Sequence, residues 1–483
     1  MTLLPTTDLV FIAGRWRAAE GNAKLPIENP STGEVIGHIA RGTQDDITAA
    51  VDAAQAAVNG TWGKLTATER GRLLTRLGEL VKENVDELTR LETIDVGKPV
   101  RQARADAVAL ARYCEFYGGA ADKVHGQTIP FADGYTVYTL RVPHGVTGHI
   151  VPWNYPMQII GRSICAALAM GNATVLKPAE EACLTALAFG RLADKAGFPP
   201  GSINVVTGLG EEAGAALTAN PGVDHVSFTG SFAVGALVQA AAARRAAPVT
   251  LELGGKSPQI VFEDADLDRA LPFLVNAGVQ NAGQTCSAAS RLLIHRRVYD
   301  DVLKRLAERY SALNVGPADQ DLDVGPLISA RQQTVVQSFL DLAERDRLNI
   351  VARGTIVPGA PKGGHYAAPA LIAGVDPKHS LAQDEIFGPV QVVIPFDTEE
   401  EAVAIANGTA YGLVAGIWTK DGARQMRMAK AIRAGQIFIN NYGAGGGIEL
   451  PFGGFGHSGH GREKGFEALY GFSTIKTVAA FHG

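Results

Sequence analysis

The spacing of apolar residues divides the chain into an N-terminal helical region and two regions in which strands alternate with helices. Apolar residues recur at helical spacing over 45–58 and 66–92, where Asp45 and Thr66 are candidate N-caps. From about residue 143, short β-rich runs alternate with helical segments. This alternation predicts a parallel sheet with helices on both faces, which binds ligands at the carboxyl ends of its strands.

The two alternating regions each contain several predicted elements. In the first, the predicted strands are 146–151, 173–176, 203–206, 225–228 and 249–251, and the predicted helices are 157–170, 180–196, 211–219 and 231–245. In the second, which begins near Lys256, the predicted strands are 259–262, 390–394, 413–418 and 436–439, and the predicted helices are 266–281, 298–312 and 398–406. Both regions therefore favour an α/β fold.

Two extended segments fall outside this rhythm. Residues 123–142 are typical of a hairpin, and residues 472–480 alternate like a strand. Extended segments outside the main sheets are candidates for pairing with another subunit. The alternative is that both segments only cover an edge of the core.

Composition and charge narrow the class of protein. The 483 residues include 44 Lys and Arg against 49 Asp and Glu, a net charge of −5, which argues against a nucleic-acid partner. No run of about 18 apolar residues occurs, so no membrane span is expected. The N-terminus lacks the pattern of a secretory signal. Four widely spaced cysteines predict neither a disulfide framework nor a metal site, and favour a reducing, cytoplasmic setting.

Glycine is in excess, at 56 residues, and two glycine-rich turns could hold a phosphate. The turn at 207–214 follows a strand, but its glycine spacing is wrong for a dinucleotide fingerprint, and its acidic residues would repel a pyrophosphate. The turn at 227–235 places Gly230 and Ser231 between a strand and a helix without a nearby acid. It is the better anion site. The excess itself suggests backbone room for a bound dinucleotide and a small substrate.

Three residues have the chemistry of a nucleophilic site. Glu252 ends a predicted apolar strand, where desolvation would make its carboxylate a general base, although it could instead cap the next turn. Cys286 lies among small polar residues that are poor core formers, and a thiolate is a strong nucleophile. Asn154, between two prolines, could donate to a developing oxyanion. Cys114, Cys165 and Cys183 lie on apolar or amphipathic helices and are interpreted as structural.

Seven segments in register closely resemble the NAD(P)-dependent aldehyde dehydrogenase superfamily. They are PWNYP at 152–156, LKPAE at 176–180, FTGS at 228–231, LELGGKSP at 251–258, GQTC at 283–286, EIFGPV at 385–390 and PFGGFGHSGHGRE at 451–463. Any one of them is weak, but seven in the family's order are very specific. The resemblance is to the non-acylating type, which hydrolyses its thioester intermediate.

The resemblance implies a role for each matching residue. Cys286 would attack the aldehyde, Asn154 would hold the oxyanion, and Glu252 would activate water to hydrolyse a thioester. The implied cofactor residues are Trp153, Lys177, Glu180, Gly230, Ser231, Glu385 and Phe387. The cofactor would be NAD, with NADP weaker, because the Glu180 carboxylate would repel a 2′-phosphate.

Three further assignments are less direct. Glu449 matches a second acid that some members use in proton relay. Tyr155 and Arg162 are assigned to the substrate. Eight residues at helical spacing place Arg162 about 80° around the helix from Asn154, and in succinic semialdehyde dehydrogenases an Arg there holds the substrate carboxylate. The alternative is that Arg162 is structural or paired with a nearby acid. The glycine-rich loop 440–447 suggests a roomy tunnel mouth.

The implied fold is a Rossmann-like dinucleotide-binding domain (1–122 and 143–253), an α/β catalytic domain (254–455) and a small β oligomerisation flap with its tail (123–142 and 456–483). The expected partners are a small-molecule aldehyde and a second copy of the chain, as a homodimer or homotetramer. Three alternatives remain: a CoA-acylating relative, an inactive binding or structural relative, and a cysteine hydrolase. The presence of Glu252 argues against the first, and no histidine is placed to pair with Cys286 for the third.

Overall fold

Two large sheets, each with its own buried apolar core, form the framework of the protein. The computed structural model describes residues 3–4, 6–443 and 447–483, so part of the predicted tunnel loop 440–447 lies outside the described residues. The last parallel strand of the first sheet ends at Glu252, and the first strand of the second begins at Pro258. The predicted α/β fold is confirmed.

The first sheet has five parallel strands at its centre. In sheet order its strands are Arg15–Arg17, Val10–Ile12, Ile203–Val205, Ala173–Pro178, Val146–Val151, His225–Thr229, Val249–Glu252 and Gly459–His460. The five from Ile203–Val205 to Val249–Glu252 are parallel, and each lies within two residues of its prediction. Their carboxyl ends therefore meet at one edge.

The second sheet is also mainly parallel. In sheet order its strands are Asn349–Arg353, Ala370–Ala373, Val390–Phe396, Arg291–His295, Pro258–Val261, Val414–Trp418 and Gln436–Ile439. Asn349–Arg353 is antiparallel to its neighbour. The central strands Pro258–Val261, Arg291–His295 and Val390–Phe396 are short and almost wholly buried, as expected for parallel strands covered on both faces.

Helices cover both sheets. The α-helices are Gln44–Asn59, Ala67–Glu83, Val85–Val96, Val100–Ala120, Pro156–Ile159, Cys165–Met170, Leu184–Ala196, Ala215–Ala219, Phe232–Ala243, Leu267–Val279, Tyr299–Ser311, Ala330–Arg345, Ser380–Gln383, Glu399–Ala406, Gly422–Ala431 and Gly465–Gly471. Thr66 caps its helix as predicted. The predicted cap Asp45 is wrong, because the Thr43 hydroxyl accepts the Asp46 N–H and a capping box forms there. Among the described helices, none has the length and hydropathy needed to cross a membrane.

The hairpin and the C-terminal strand form one small sheet. Ser473–Phe481 pairs antiparallel with Tyr135–Pro143, which pairs with Thr128–Ile129. The grouping of 456–483 with this flap is too broad, because Gly459–His460 pairs with the first sheet. Two short strand pairs had no prediction: Lys24–Asn29 with Glu34–Ala40, and Asn314–Val315 with Thr355–Ile356.

Candidate active site

Four neighbouring strands bring Asn154, Lys177, Ser231 and Glu252 to the carboxyl edge of the first sheet. Cys286 approaches from the second sheet, on the loop that precedes strand Arg291–His295. The first sheet thus presents its carboxyl ends, and the second an amino end, to one cleft.

The backbone before Cys286 is left-handed over three residues. Asn281, Ala282 and Gly283 have φ values of 50°, 54° and 72°. This conformation is costly for residues other than glycine and persists only where the surroundings enforce it. A Cβ at Gly283 would lie 2.1 Å from the Gly388 carbonyl oxygen, so only glycine fits. The Asn281 side chain fixes the turn by donating to the Asn154 carbonyl at 3.0 Å.

Hydrogen bonds from the PWNYP motif hold the two residues before Cys286. The Asn154 Nδ2 donates to the Gln284 carbonyl at 3.0 Å, and the Tyr155 hydroxyl lies 2.9 Å from the Thr285 Oγ1. The Gln284 Oε1 in turn accepts the Ile328 N–H at 2.9 Å. These hydrogen bonds therefore position the nucleophile loop and Asn154 relative to each other.

Two cavities meet at Cys286. The first, of 450 Å³, is lined by all seven residues assigned to the cofactor: Trp153, Lys177, Glu180, Gly230, Ser231, Glu385 and Phe387. The second, of 370 Å³, is lined by Tyr155 and Arg162. Both cavities include Asn154, Thr229 and Cys286 in their walls. We name them the cofactor cavity and the tunnel.

The cofactor cavity has the donor set of a dinucleotide site. Lys177 Nζ lies 2.9 Å from the Glu180 carboxylate. Ser231 caps helix Phe232–Ala243, whose N-terminus therefore opens on the cavity as an anion site. The residues thus match an adenosine ribose and a pyrophosphate in chemistry. The rejected turn 207–214 does not line this cavity, and its Glu212 pairs with Arg41.

The cofactor cavity also has aromatic side chains in its wall. The rings of Trp153 and Phe387 meet edge to face at 5.3 Å. The Glu385 carboxylate accepts the Gly255 N–H at 2.8 Å, and burial raises its pKa to about 7. An aromatic wall beside a hydrogen-bonding carboxylate suits a flat, partly polar ring and its sugar.

The glycines beside the catalytic residues correct the interpretation of the glycine excess. A Cβ at Gly254 would lie 2.1 Å from the Glu385 carboxylate, and one at Gly255 would lie 2.4 Å from the Cys286 carbonyl oxygen. These glycines therefore let other parts of the protein approach closely, and the space is not left for a ligand.

Burial governs the acid–base properties of Cys286 and Glu252. Burial raises the pKa of the Cys286 thiol to about 11, which the nearby Arg162 guanidinium partly offsets. Glu252 is 1% exposed, and neither carboxylate oxygen has a hydrogen-bond partner among the described residues. Burial, with the neighbouring Glu463, raises its pKa well above the usual range. Such a carboxyl is suited to proton transfer.

Glu463 is the last residue of the motif at 451–463, and the sequence assigned it no role. In the structure it is the partner of Arg162. It is fully buried, forms an ion pair with Arg162 and accepts a hydrogen bond from the Ser227 hydroxyl at 3.0 Å. Arg162 also lies over the Phe452 ring at 4.9 Å. The alternative of a paired Arg162 is therefore the arrangement in the structure.

The predicted angle of about 80° around the helix between Asn154 and Arg162 does not hold, because the helix is not regular. Residues Ile160–Ile164 form a π-helical turn inside the predicted helix 157–170. Each π turn contains more residues than an α turn, so the predicted angle does not apply. Arg162 still reaches the tunnel wall.

Glu449 is not brought to the site. Its side chain is 52% exposed, pairs with Arg112 and lines neither cavity. The structure gives no support to a proton relay through Glu449.

A buried ion cluster lies behind the PWNYP motif. Lys98 Nζ lies 2.9 Å from the Glu92 carboxylate, pairs with Asp106 and sits 4.0 Å above the Tyr155 ring. All three charged groups are almost fully buried. The sequence contains one indication of this cluster. Glu92 is an acid at a core-facing position of helix Val85–Val96, next to apolar neighbours such as Leu88.

Replacing Lys98 by methionine should destabilise the protein strongly. The substitution leaves two buried carboxylates without their cation, a change that costs about 3–5 kcal/mol. Thermal unfolding followed by circular dichroism measures the effect. Lys195→Met, at an exposed position in helix Leu184–Ala196, is the matched control and should unfold like the parent. Equal midpoints for the two variants would contradict the expectation.

Comparisons with known proteins agree with this geometry. The model of the aldehyde dehydrogenase family matches residues 16–478. The chain belongs to the aldehyde dehydrogenase family. A hydroxyisobutyraldehyde dehydrogenase from Mycolicibacterium austroafricanum is 40% identical, over 99% of this chain and 94% of its own length.

Solved structures of other aldehyde dehydrogenases superpose closely. A Burkholderia cenocepacia protein assigned to this family is 61% identical with a TM-score of 0.98, covering 98% of this chain and 100% of its own. An NAD⁺ complex from Bacillus cereus is 37% identical with a TM-score of 0.97, covering 100% of this chain and 98% of its own. This aldehyde dehydrogenase therefore binds NAD and oxidises an aldehyde to its acid.

Proposed function

We propose that Cys286 is the nucleophile, Asn154 the oxyanion donor and Glu252 the general base of this oxidation. The observation that carries the proposal is that the cofactor cavity and the tunnel meet at Cys286 and Asn154. An aldehyde in the tunnel and a nicotinamide in the cofactor cavity would then both be next to Cys286.

The first half of the reaction forms a covalent intermediate. The Cys286 thiolate attacks the aldehyde carbon, a C–S bond forms, and the carbonyl π electrons move to the oxygen, which the Asn154 amide stabilises. Bound NAD supplies the acceptor for the hydride that leaves this carbon. The oxygen then re-forms its double bond, and Cys286 carries a thioester.

The second half releases the acid. The Glu252 carboxylate removes a proton from water, and the oxygen attacks the thioester carbon. The C–S bond breaks, and its electrons return to Cys286 as thiolate. Glu252 lines the cofactor cavity and not the tunnel, so we place the entering water on the cofactor side.

We assign the cofactor roles to side chains of this cavity by their chemistry. Lys177 and Glu180 would hold the adenosine ribose, and Gly230 with Ser231 the pyrophosphate. Glu385 would hold the nicotinamide ribose. The pair of rings, Trp153 and Phe387, would enclose the nicotinamide end.

NAD should be preferred to NADP by about tenfold or more in kcat/KM, because the Glu180 carboxylate hydrogen-bonds a 2′-hydroxyl and repels a 2′-phosphate. Glu180→Gln should narrow the ratio, mainly by improving NADP. Steady-state kinetics with both cofactors measure it. Glu181→Gln, which removes a neighbouring charge from the same cavity, controls for loss of negative potential alone. A higher kcat/KM with NADP than with NAD in the parent enzyme would contradict this prediction.

The substrate side is assigned to Tyr155 and the tunnel. Tyr155 lines the tunnel and holds Thr285, so its role is both contact and support. Arg162 is engaged by Glu463, so we assign it to positioning within the tunnel wall and not to a substrate carboxylate. Glu449 has no role in the proposal.

Product analysis tests the reaction type. An aldehyde panel with NAD, followed by NADH absorbance, should yield the free acid without added CoA. Formation of an acyl-CoA with CoA present, and no acid without it, would establish the acylating alternative. The presence of Glu252 in the cofactor cavity favours hydrolysis.

We further propose that the protein forms a homo-oligomer in the cytoplasm. Strand Ser473–Phe481 lies at the edge of the flap sheet, and Ile475, Phe481 and Phe131 are largely exposed. An exposed apolar edge strand is a site for pairing with a second copy. The four free cysteines fit a reducing compartment.

A further inference from the structure

Three glutamines in the tunnel wall present hydrogen-bond acceptors. Gln158, Gln280 and Gln436 all line the cavity that contains Cys286. A glutamine side chain can donate through its amide nitrogen or accept through its oxygen. Which end is available to a substrate depends on what the other end already binds.

The orientation of two of these amides is fixed by partners that cannot donate. The Gln158 Nε2 donates to the Asp106 carboxylate at 2.6 Å, and the Gln436 Nε2 donates to the Pro451 carbonyl at 2.8 Å. A carbonyl and an ionised carboxylate only accept, so the nitrogen must face them. The oxygen of each glutamine is therefore the end left over.

Gln280 differs from these two, because its partner is a hydroxyl that can donate as well as accept. Its Nε2 donates to the Tyr155 hydroxyl at 2.9 Å, and that hydroxyl lies 2.9 Å from the Thr285 Oγ1. Within the described part of the chain, no group donates to the Oε1 of Gln158, Gln280 or Gln436. The tunnel wall therefore contains two glutamines, Gln158 and Gln436, whose oxygens can accept a hydrogen bond from a substrate.

The charges around the tunnel give an anionic substrate little advantage. Arg162 is paired with Glu463, and Lys464, the other cation among the described residues of the wall, interacts electrostatically with Glu463. Both cations therefore already interact with one buried carboxylate. Behind Gln158, the single cation Lys98 faces two carboxylates, which leaves a formal excess of negative charge.

The wall also has apolar and aromatic side chains, which include Ile159, Phe273, Val414, Phe438 and Phe452. Such side chains bind an apolar or aromatic body, and a few placed polar groups then orient it. The oxygens of Gln158 and Gln436 are the acceptors among these polar groups to which a substrate could donate.

We propose that the tunnel selects an uncharged aldehyde with an apolar or aromatic body and an O–H or N–H donor at its far end. This inference rests on the proposed role of the tunnel as the aldehyde site. It argues against an aldehyde with a distal carboxylate, the class that Arg162 suggested from the sequence.

Three aldehydes of matched shape test the proposal: 4-(hydroxymethyl)benzaldehyde, 4-ethylbenzaldehyde and 4-formylbenzoate. The first two differ only in replacing a hydroxyl by a methyl group, and the third carries an anion. With NAD, kcat/KM for the hydroxymethyl compound should exceed that for the ethyl compound by about three- to tenfold. The formylbenzoate should be the poorest substrate. Equal or reversed values for the first two, or a preference for the formylbenzoate, would overturn the proposal.

Methionine substitutions locate the acceptor. Gln158→Met and Gln436→Met each remove the oxygen and keep the length of the side chain. At least one should lower kcat/KM for the hydroxymethyl compound and leave 4-ethylbenzaldehyde nearly unchanged, so the ethyl compound reports any general damage. Parallel losses for both substrates in both variants would contradict the inference. Failure to oxidise any of the aldehydes would instead count against the proposed function itself.

Discussion

Replacing Cys286 by alanine should abolish NAD-dependent aldehyde oxidation, with kcat falling by about 10³-fold or more. No other described thiol reaches the junction of the two cavities: Cys114, Cys165 and Cys183 are buried elsewhere. NADH absorbance with a good aldehyde gives the rate, and fluorescence titration with NAD shows whether the cofactor site is intact. NAD should still bind, because the cofactor cavity keeps the rest of its wall.

Cys114→Ala is the matched control. Cys114 is fully buried on helix Val100–Ala120 and lines neither cavity. This variant should keep its activity. Substantial oxidation by Cys286→Ala would remove the covalent mechanism from the proposal.

Glu252→Gln should separate the two halves of the reaction. The amide cannot accept a proton from water, so hydrolysis should slow by about 10²–10³-fold, while thioester formation continues. Rapid mixing should show a burst of about one NADH per active site, followed by a slow steady state. Mass spectrometry of the quenched enzyme should find the acyl group on Cys286.

The pH dependence gives an independent check on Glu252. Burial raises the pKa of Glu252, so its ionised, basic form becomes populated at a higher pH than that of an ordinary glutamate. While hydrolysis limits turnover, kcat of the parent should increase with pH, and Glu252→Gln should lose this dependence. Glu467→Gln, an exposed acid on helix Gly465–Gly471, should behave as the parent. A slow variant without a burst would assign Glu252 to the first half of the reaction.

The sheets could be predicted well because parallel strands are buried on both faces. Val146–Val151 was located without error, and its neighbours within two residues, since continuous apolar runs stand out between helical segments. The turns after these strands then gave Asn154, Ser231 and Glu252, because ligands bind at the carboxyl ends.

Features that depend on residues far apart along the chain could not be predicted from the sequence. The π turn Ile160–Ile164 places Arg162 against Glu463, near the other end of the chain, and no local pattern contains that partner. The ion cluster of Lys98 likewise joins acids on two helices. Glu449 was assigned by its position next to a motif, whereas the buried acid lies at the end of that motif.

The shared wall of the two cavities is narrow, and this affects how the enzyme can diversify. Of the residues that the structure describes, only Asn154, Thr229 and Cys286 line both cavities, so most of the described tunnel residues can mutate without altering a wall of the cofactor cavity. Aldehyde preference and dinucleotide binding can thus change independently of each other in one fold. Selection for a new aldehyde can act on the glutamines and phenylalanines of the tunnel while the chemistry at sulfur stays constant.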